Sequence, residues 1–407
     1  MIIKIAWRNI FRNKKRTLIT IGSIFIALFL IILMRGMQFG FYENLIKTVV
    51  ESYSGYIEIH DKDYWENQSL NNSMIVDKQL LNEINEIKGV ENVLERIKAF
   101  SLASSNDKIK GILINGVNIQ DEKLIVDWNK RMVSGSLNFN GSNQVVIGKG
   151  ISKYFNLNLK DTLVLFGQGY QGMMAAGKYE IIGIVDLKNP KLNDLGVFMD
   201  IDVTRRYISS DRIVTHLVID KEENYDAEKL ASKIRKNLSN DFEVLSWKKT
   251  LPDLDQTITA DSAGGLIMVY ILYIVVCFGM FGTVIMMTEE RKYEFGVLIS
   301  LGMSRLKLSS VVLFEILILS LLGVLLAIIF TRPILIYFNN NPIDMSKLAD
   351  GMSDALAKFG FDPIFPFSIS WDIPLTHGLF IFIVSILMSL YPIIKIYKLN
   401  SVKSMKL

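Results

Sequence analysis

The dominant pattern along the chain is a set of four long apolar stretches separated by polar sequence. Each stretch contains at most one charged or histidine side chain: Thr17–Met34, Ser262–Thr288, Leu308–Thr331 and Ile373–Ile394. A helix needs about 20 apolar residues to cross a bilayer. The pattern therefore predicts four transmembrane helices, with bounds at residues 17–40, 262–288, 308–331 and 373–394.

Between the first two apolar stretches, residues 41–261 alternate between strand and helix patterns. Strict alternation predicts a strand at Ser54–His60, and apolar residues at helical spacing predict a helix at Leu80–Ile87. The same reasoning predicts further helices at Ile151–Phe155 and Ala227–Leu238, and strands at Val90–Ile97, Gly111–Val117, Val145–Ile147, Thr162–Phe166, Tyr179–Val185, His216–Asp220 and Phe242–Leu245. The Gly-rich segment Gly167–Gly177 indicates either a flexible tip or a long hairpin. Because strands and helices mix without a regular parallel repeat, we expect an α+β domain of two subdomains.

The distribution of charge predicts how the chain is threaded through the membrane. Lys and Arg collect next to the apolar stretches in segments 1–16, 289–307 and 395–407, whereas acids outnumber bases in 332–372. Basic loops stay on the cytoplasmic side. We therefore expect both termini and 289–307 in the cytoplasm, with 41–261 and 332–372 outside. The fold class that follows is a membrane α-helical protein of four transmembrane helices with a large α+β extracytoplasmic domain.

Composition narrows the class of protein further. With 407 residues, 50% of them hydrophobic and 21% charged, the chain is too apolar for an ordinary soluble enzyme and too charged to lie wholly in a membrane. The net charge of +4 is small, and we expect no nucleic-acid partner. Cys277 is the only cysteine, so no disulfide can form within the chain and the large domain must fold on its own core.

The sequence offers no pattern typical of a catalytic or metal site. His60, His216 and His377 are the only histidines, and none has the spacing of a metal ligand. Gly148-Lys149 is similar to part of a phosphate-binding loop, but no Ser or Thr follows the lysine. We expect no catalytic residue, no metal and no nucleotide in this chain.

Segment 1–16 has the pattern of an amphipathic helix. Apolar residues recur at helical spacing, while basic residues lie elsewhere on the wheel. Such a helix can lie at the cytoplasmic interface and support the first span. Its expected interface residues are Trp7, Arg8, Arg12 and Arg16. The alternative is a simple topology signal with a tryptophan at the interface.

Segment 289–307 joins the second and third spans and is itself amphipathic. Tyr293, Val297 and Leu301 share one helical face, and Gly302 supplies the backbone freedom that ends a helix. A short helix of this kind can dock in the groove of a soluble partner. Taken from the residues alone, a polar connecting loop is the favoured interpretation.

Glu315 lies about two turns into the third span, where a charged side chain is costly. One hypothesis is that it pairs with another helix near segment 289–307 or stays protonated. The alternative is that the span begins later and the side chain reaches the cytoplasmic interface.

These residues resemble the FtsX-like permease family of ABC transporters, including its MacB and LolC–LolE types. The similarity lies in IAWRNIFRNKKRT at the N-terminus, ERKYEFGVL followed by LGMSR after the second span, Glu315, YPIIK near the C-terminus, and VVIGKGI with LKD in the large domain. Two features depart from the family pattern. Ser401–Val402 stands where proline is usual, and the loop at 332–371 is long, with a helix predicted at Met345–Phe359.

The resemblance implies a membrane subunit of an ABC transporter in the bacterial cytoplasmic (inner) membrane. In such a transporter, ATP and Mg²⁺ are bound by a separate cytoplasmic ATPase, and the permease works as a homo- or heterodimer among membrane lipids. The residues that the resemblance implies for coupling to the ATPase are Glu290, Arg291, Glu294, Phe295, Gly296, Leu298, Leu301, Gly302 and Arg305.

The function that the resemblance implies is transmission of ATP-driven motion to the extracytoplasmic domain, for release of a lipoprotein or export of a peptide, lipid or drug. An alternative is a mechanotransmitter that regulates a cell-wall hydrolase or acts as a sensor without moving a substrate. A surface receptor with an incidental membrane anchor is a third reading, but it leaves segment 289–307 unexplained.

Overall fold

The computed structural model describes residues 2–344 and 364–399, apart from 13, 106, 140, 142, 188 and 223. The helix predicted at Met345–Phe359 lies outside the described residues, as does the departure at Ser401–Val402. The chain divides into two compact units. The helical unit comprises Met1–Asn44, Ile258–Asp344 and Ile364–Leu407, and the α+β unit comprises Leu45–Thr257 and Met345–Pro363.

The helices of the described chain are α1 (Ile2–Arg12), α2 (Lys14–Val49), α3 (Lys78–Asn85), α4 (Ile119–Ile125), α5 (Trp128–Arg131), α6 (Lys149–Phe155), α7 (Pro190–Leu195), α8 (Ile201–Tyr207), α9 (Ala227–Asn237), α10 (Trp247–Thr250), α11 (Pro252–Glu290), α12 (Lys292–Ser300), α13 (Arg305–Asn340) and α14 (Asp372–Lys398). By length and composition, α2, α11, α13 and α14 could each cross a membrane. α11 has 39 residues and is therefore roughly 58 Å long at about 1.5 Å per residue.

The strands are β1 (Ile57–Asp61), β2 (Met74–Ile75), β3 (Val90–Ser105), β4 (Lys108–Val117), β5 (Met132–Gly135), β6 (Gln144–Gly148), β7 (Thr162–Gln168), β8 (Met174–Val185), β9 (Gly196–Asp200), β10 (Ile213–Val214), β11 (His216–Lys221), β12 (Phe242–Ser246), β13 (Ile343–Asp344) and β14 (Ile364–Phe365). Short antiparallel pairs join β2 to β10 and β13 to β14.

The α+β unit is built on one ten-stranded mixed sheet. Its order is β12-β1-β11-β3-β4-β9-β6-β8-β5, and β7 pairs with both β3 and β8. Most neighbours are antiparallel, whereas β4 with β9 and β6 with β8 are parallel. The sheet packs against two separate hydrophobic clusters, one that includes Ile97 and Val197 and one that includes Tyr53 and Trp128.

Several element bounds differ from those that the sequence predicts. Residues Val50–Ser54 form a π-helical turn, so β1 begins at Ile57 and not at Ser54. β3 continues past Ile97 to Ser105, because its second half pairs with both β4 and β7. Gly167–Gly177 forms a hairpin, in which β7 and β8 are paired from Gln168 and Met174 onward.

The helical unit has an apolar core contributed by all four long helices. Ile24 and Leu28 of α2 pack with Val276 of α11, Ala327 of α13 and Ile381 of α14. The segment before α14 also packs on α2, where the amide of Ser368 donates to the carbonyl of Gly36 at 2.8 Å. This part of the 332–372 loop therefore belongs to the helical unit.

Candidate functional site

The segment between α11 and α13 folds into the short helix α12, which is followed two residues later by a glycine with a left-handed backbone. Gly302 has φ of +93°, a conformation that side-chain-bearing residues rarely adopt. Its amide donates to the carbonyl of Ile299, and the amide of Met303 donates to the carbonyl of Leu298. Gly302 thus satisfies the last carbonyls of α12 and turns the chain into α13.

One side of α12 is buried and the other presents apolar side chains. Phe295 and Gly296 are buried, and Phe295 packs in a cluster with Val312 and Ile316 of α13. On the opposite side, Tyr293 is 51% exposed and Leu301 is 80% exposed. Isolated exposed apolar residues are ordinary, but a pair at the two ends of a short helix forms an apolar ridge suited to a partner's groove.

Arg291 and Glu315 form a buried ion pair at the base of α12. Arg291 Nη1 donates to Glu315 Oε2 at 2.6 Å, and the two side chains are 7% and 0% exposed. Arg291 also lies over the Phe295 ring, with its guanidinium carbon 5.3 Å from the ring centroid. This distance is within the limit of about 6 Å for a cation–π contact. Glu315 is therefore buried and paired, and Arg291 is directed into the helical unit and not towards solvent.

Glu294 connects α12 to the N-terminal helix. One carboxylate oxygen of Glu294 accepts from Arg12 of α1, and the other lies 3.3 Å from Nε of Arg291. Arg12, Glu294, Arg291 and Glu315 consequently form one chain of alternating charges that joins α1, α12 and α13. We call these four residues the ion-pair network of the helical unit.

The remaining residues of the predicted coupling set have different surroundings. Arg305 donates to the carbonyls of Tyr397 and Leu399, so it holds the end of α14. Glu290 is exposed, and Leu298 is half-buried beside the Phe295 cluster. Next to Glu290, Glu289 pairs with Lys395 of α14 at 2.8 Å. The structure therefore brings the predicted set together around α12, with some members inside and some at the surface.

The N-terminal residues also divide between buried and exposed positions. Ala6 and Ile10 of α1 are buried. Trp7 is exposed and makes an edge contact with Phe11, their ring centroids being 5.1 Å apart. Arg8 is exposed, and the side chain of Arg16 lies outside the described part of the chain.

A second polar cluster joins α2 to α11 within the helical unit. The hydroxyl of Tyr42 donates to Asp261 Oδ2 at 2.5 Å, and Gln38 Nε2 lies 3.1 Å from the same oxygen. Arg35 donates to Gln38 at 2.5 Å. Sequence reasoning missed this cluster, although polar residues just beyond an apolar stretch were the available signal.

In the α+β unit, charged and histidine side chains are buried on β1 and β11, and the half-buried Lys98 of β3 lies beside them. His60 and His216 stack with ring centroids 5.5 Å apart, and Glu58 Oε2 lies 3.0 Å from His60 Nε2. Lys98 Nζ is 3.6 Å from Glu58 Oε1. Sequence reasoning placed these histidines in isolation, because the register that aligns β1 with β11 is a long-range property.

Burial and neighbouring charges together shift the pKa values of Glu58 and His216. Burial alone would raise the pKa of Glu58. The Lys98 ammonium, together with His60 and His216, instead holds that pKa well below its usual value. Burial, reinforced by Lys98, lowers the pKa of His216 well below its ordinary value. His216 is therefore neutral near pH 7. Among the described residues, no group of three His, Cys, Asp or Glu side chains is arranged to hold a metal ion.

Arg96 fixes the point at which the chain enters the sheet. Its guanidinium donates to Glu122 through Nε at 2.5 Å and Nη2 at 2.9 Å, and to the carbonyl of Tyr53. It also stacks 3.9 Å from the centre of the Tyr53 ring. Burial alone would lower the pKa of Arg96, but the Glu122 carboxylate raises it. The turn that precedes β1 is thus held by a fully buried cation.

Comparison with protein families identifies two matching regions. Residues 17–237 match the MacB-like periplasmic core domain, and residues 266–401 match the FtsX-like permease C-terminal region. A comparison with curated protein sequences gave no significant match.

Two solved structures are each similar to about half of this chain. The periplasmic region of MacB from Actinobacillus actinomycetemcomitans is 14% identical, with a TM-score of 0.35, and the match covers 52% of this chain and 95% of that one. The extracellular domain of the noncanonic ABC-type transporter YknZ from Gram-positive bacteria is 13% identical, with a TM-score of 0.33, covering 47% and 99% respectively.

Proposed function

This chain belongs to the FtsX-like permease family and has a MacB-like periplasmic core domain, and we propose that it transmits the work of a separate ATPase to that domain. It is a permease-type membrane subunit. In the proposed arrangement, the termini and α12 lie in the cytoplasm and the α+β unit lies outside. ATP and Mg²⁺ would be bound by the partner ATPase, and two permease copies would form the transporter.

The observation that carries the proposal is the construction of α12. A polar connecting loop does not need a buried phenylalanine, a buried ion pair and an apolar ridge on the opposite side. Tyr293 and Leu301 offer the ridge, while Phe295 and the Arg291–Glu315 pair fix the helix to α13. A push on the ridge would therefore move α12 and α13 together.

The long helix α11 supports transmission beyond α12. It ends at Glu290, next to Arg291, and it runs without interruption from Pro252, so that its first residues, up to Thr257, belong to the α+β unit. A continuous helix is stiff along its axis, since each backbone hydrogen bond supports the next. Motion of α12 would therefore reach the start of α11 with little loss.

The cargo that we favour is a lipoprotein, with a peptide, lipid or drug as the next choices. Besides the family resemblance, an open apolar groove of about 520 Å³ lies along α11 and α14. Its lining includes Tyr270, Phe278, Phe281 and Phe380. A groove of aromatic side chains in a membrane-spanning region suits an acyl chain better than a hydrophilic substrate.

The test is to remove the ridge without unfolding the helix. The double variant Tyr293→Ala/Leu301→Ala keeps α12 helical, since alanine favours a helix and both side chains are exposed. We expect it to lower the permease-stimulated ATPase rate of the purified complex about ten-fold or more, as loss of two apolar anchors does at other interfaces.

The matched control is Ile109→Ala, which removes an equally exposed apolar side chain from the α+β unit. It should leave the stimulated rate unchanged. Full stimulation by the Tyr293→Ala/Leu301→Ala variant would refute the coupling role of α12. Normal ATP-driven motion without movement of a lipoprotein would instead favour the regulatory mechanotransmitter.

A further inference from the structure

α1 presents two parallel stripes of exposed side chains. Ile3, Trp7 and Phe11 recur every four residues, and all three are about half exposed. Shifted by one residue along the helix, Lys4 and Arg8 are exposed as well, and Arg12 continues their stripe. An apolar stripe beside a cationic stripe is the pattern of a helix that lies in the surface of an anionic membrane.

The opposite face of α1 fixes the orientation of these stripes. Ala6 and Ile10 are fully buried. The hydroxyl of Thr17 at the start of α2 donates to the carbonyl of Ile10 at 2.5 Å, which ties the end of α1 to the beginning of the first long helix. α1 therefore cannot roll to bury its own aromatic side chains, and the described part of the chain does not cover them.

We propose that this face of α1 is a binding site for anionic phospholipid headgroups. Ile3, Trp7 and Phe11 enter the boundary between headgroups and acyl chains. Lys4 and Arg8 lie at the depth of the phosphates and bind them by charge-assisted hydrogen bonds. Attraction to anionic lipid is worth a factor of about five in affinity for each basic side chain near the surface.

Arg12 connects this lipid site to α12 through its ion pair with Glu294. It ends the cationic stripe, but its guanidinium is bonded to Glu294 and is not available to a phosphate. Headgroups bound at Lys4 and Arg8 hold α1 in place and so stabilise the Arg12–Glu294 contact. The bilayer thereby orients the segment that the ATPase pushes, an assignment that rests on the proposed coupling role of α12.

The experiment measures lipid preference on the intact protein. The full chain is reconstituted in phosphatidylcholine bilayers containing a trace of spin-labelled phosphatidylglycerol or spin-labelled phosphatidylcholine. The motionally restricted fraction of each label gives the preference for anionic lipid. We expect the wild-type chain to prefer phosphatidylglycerol, and Lys4→Gln/Arg8→Gln to lower that preference by roughly five- to twenty-fold.

The matched control, Lys229→Gln/Lys236→Gln, removes the same charge from exposed positions on α9 and should leave the preference unchanged. An unchanged preference in Lys4→Gln/Arg8→Gln would overturn the lipid site, whatever the ATPase result. Displacement of the labelled lipid by inorganic phosphate at constant ionic strength would also overturn it, since a free anion would then be the ligand. Loss of the preference with intact α12 coupling would leave the proposed function standing.

Discussion

At the residue scale, the contribution of the buried pair Arg291–Glu315 to the free energy of unfolding can be tested directly by substitution. Two charges taken out of water gain little unless each finds a close partner. Here the pair is 2.6 Å apart, and Arg291 is further supported by Glu294 and the Phe295 ring. Removing one side chain leaves the other charge buried without its partner, whereas replacing both with apolar side chains removes the whole desolvation cost.

The first prediction follows from this asymmetry. Glu315→Leu should lower the free energy of unfolding by about 3–5 kcal/mol, because it leaves a buried guanidinium without its main partner. The double variant Arg291→Met/Glu315→Leu should recover most of that loss. The measurement is thermal unfolding of the purified full chain in detergent, converted to differences in free energy.

An exposed ion pair of similar length provides the control. Lys130 and Asp127 lie 2.8 Å apart with both side chains largely in solvent, so Lys130→Gln should change stability by less than about 1 kcal/mol. A double variant of Arg291 and Glu315 that is less stable than Glu315→Leu alone would show that the pair is net stabilising and would refute the argument.

The sequence singled out Glu315 and led to the hypothesis that its partner lies near segment 289–307, but it did not identify that partner as Arg291. Glu315 attracts attention because it is the only charge in an apolar stretch. Its partner is not deducible, since Arg291 is 24 positions away across a turn whose geometry depends on Gly302. Arg12 and Glu294 are 282 positions apart and meet only through packing of the helical unit. Long-range contacts of this kind have no local signature.

At the element scale, close packing of α2 against the segment before α14 sets a requirement for glycine. A Cβ atom on Gly40 would lie 2.2 Å from the carbonyl oxygen of Pro366 and 2.5 Å from the amide of Ser368. Both are backbone atoms, which cannot turn aside as a flexible side chain can. A Cβ on Gly22 of the same helix would meet no atom within 4 Å.

We therefore predict opposite outcomes for the same substitution at two places in α2. Gly40→Ala should destabilise the chain by roughly 1–3 kcal/mol through overpacking. Gly22→Ala should stabilise it by up to about 1 kcal/mol, since alanine is the better helix former. Thermal unfolding of both variants in the same detergent checks the prediction, and equal effects would contradict it.

Elements with a strong local pattern were predictable, and their arrangement was not. The apolar stretches predicted the four long helices because bilayer thickness imposes a length on any spanning helix. The polar turns that extend α2 and α11 beyond those stretches carry no hydrophobic signal. The order of strands in the sheet cannot be deduced from local sequence patterns either, because β1 lies between β11 and β12, which are more than 150 positions away. The hairpin at Gly167–Gly177 needed the pairing of β7 with β8 to distinguish it from a flexible tip.

At the scale of the whole molecule, the chain comprises three parts, and the helical parts are assembled from segments on both sides of the sheet in the sequence. α1 and α12 supply the proposed cytoplasmic surface, the four long helices form the core of the helical unit, and the ten-stranded sheet forms the α+β unit. Both α2 and α11 connect the helical unit to the α+β unit through the chain, and β1 and β12, which follow α2 and precede α11, are hydrogen-bonded neighbours. In the proposed function, motion that enters through either helix would therefore reach the same edge of one sheet.

The central claim is that ATP turnover in a partner moves the α+β unit through α12. The direct test places one spin label at Ser232→Cys, an exposed position on α9, in a chain whose only native cysteine is replaced by Cys277→Ala. The distance between the spin labels of the two copies is measured by double electron–electron resonance in the reconstituted permease–ATPase complex. The measurement is made without nucleotide and after trapping with ATP and vanadate. The account predicts that trapping shifts the distance distribution in the otherwise native chain and leaves it unshifted in Tyr293→Ala/Leu301→Ala. Identical distributions with and without trapping in the native background, or a shift that persists when the ridge is removed, would contradict it.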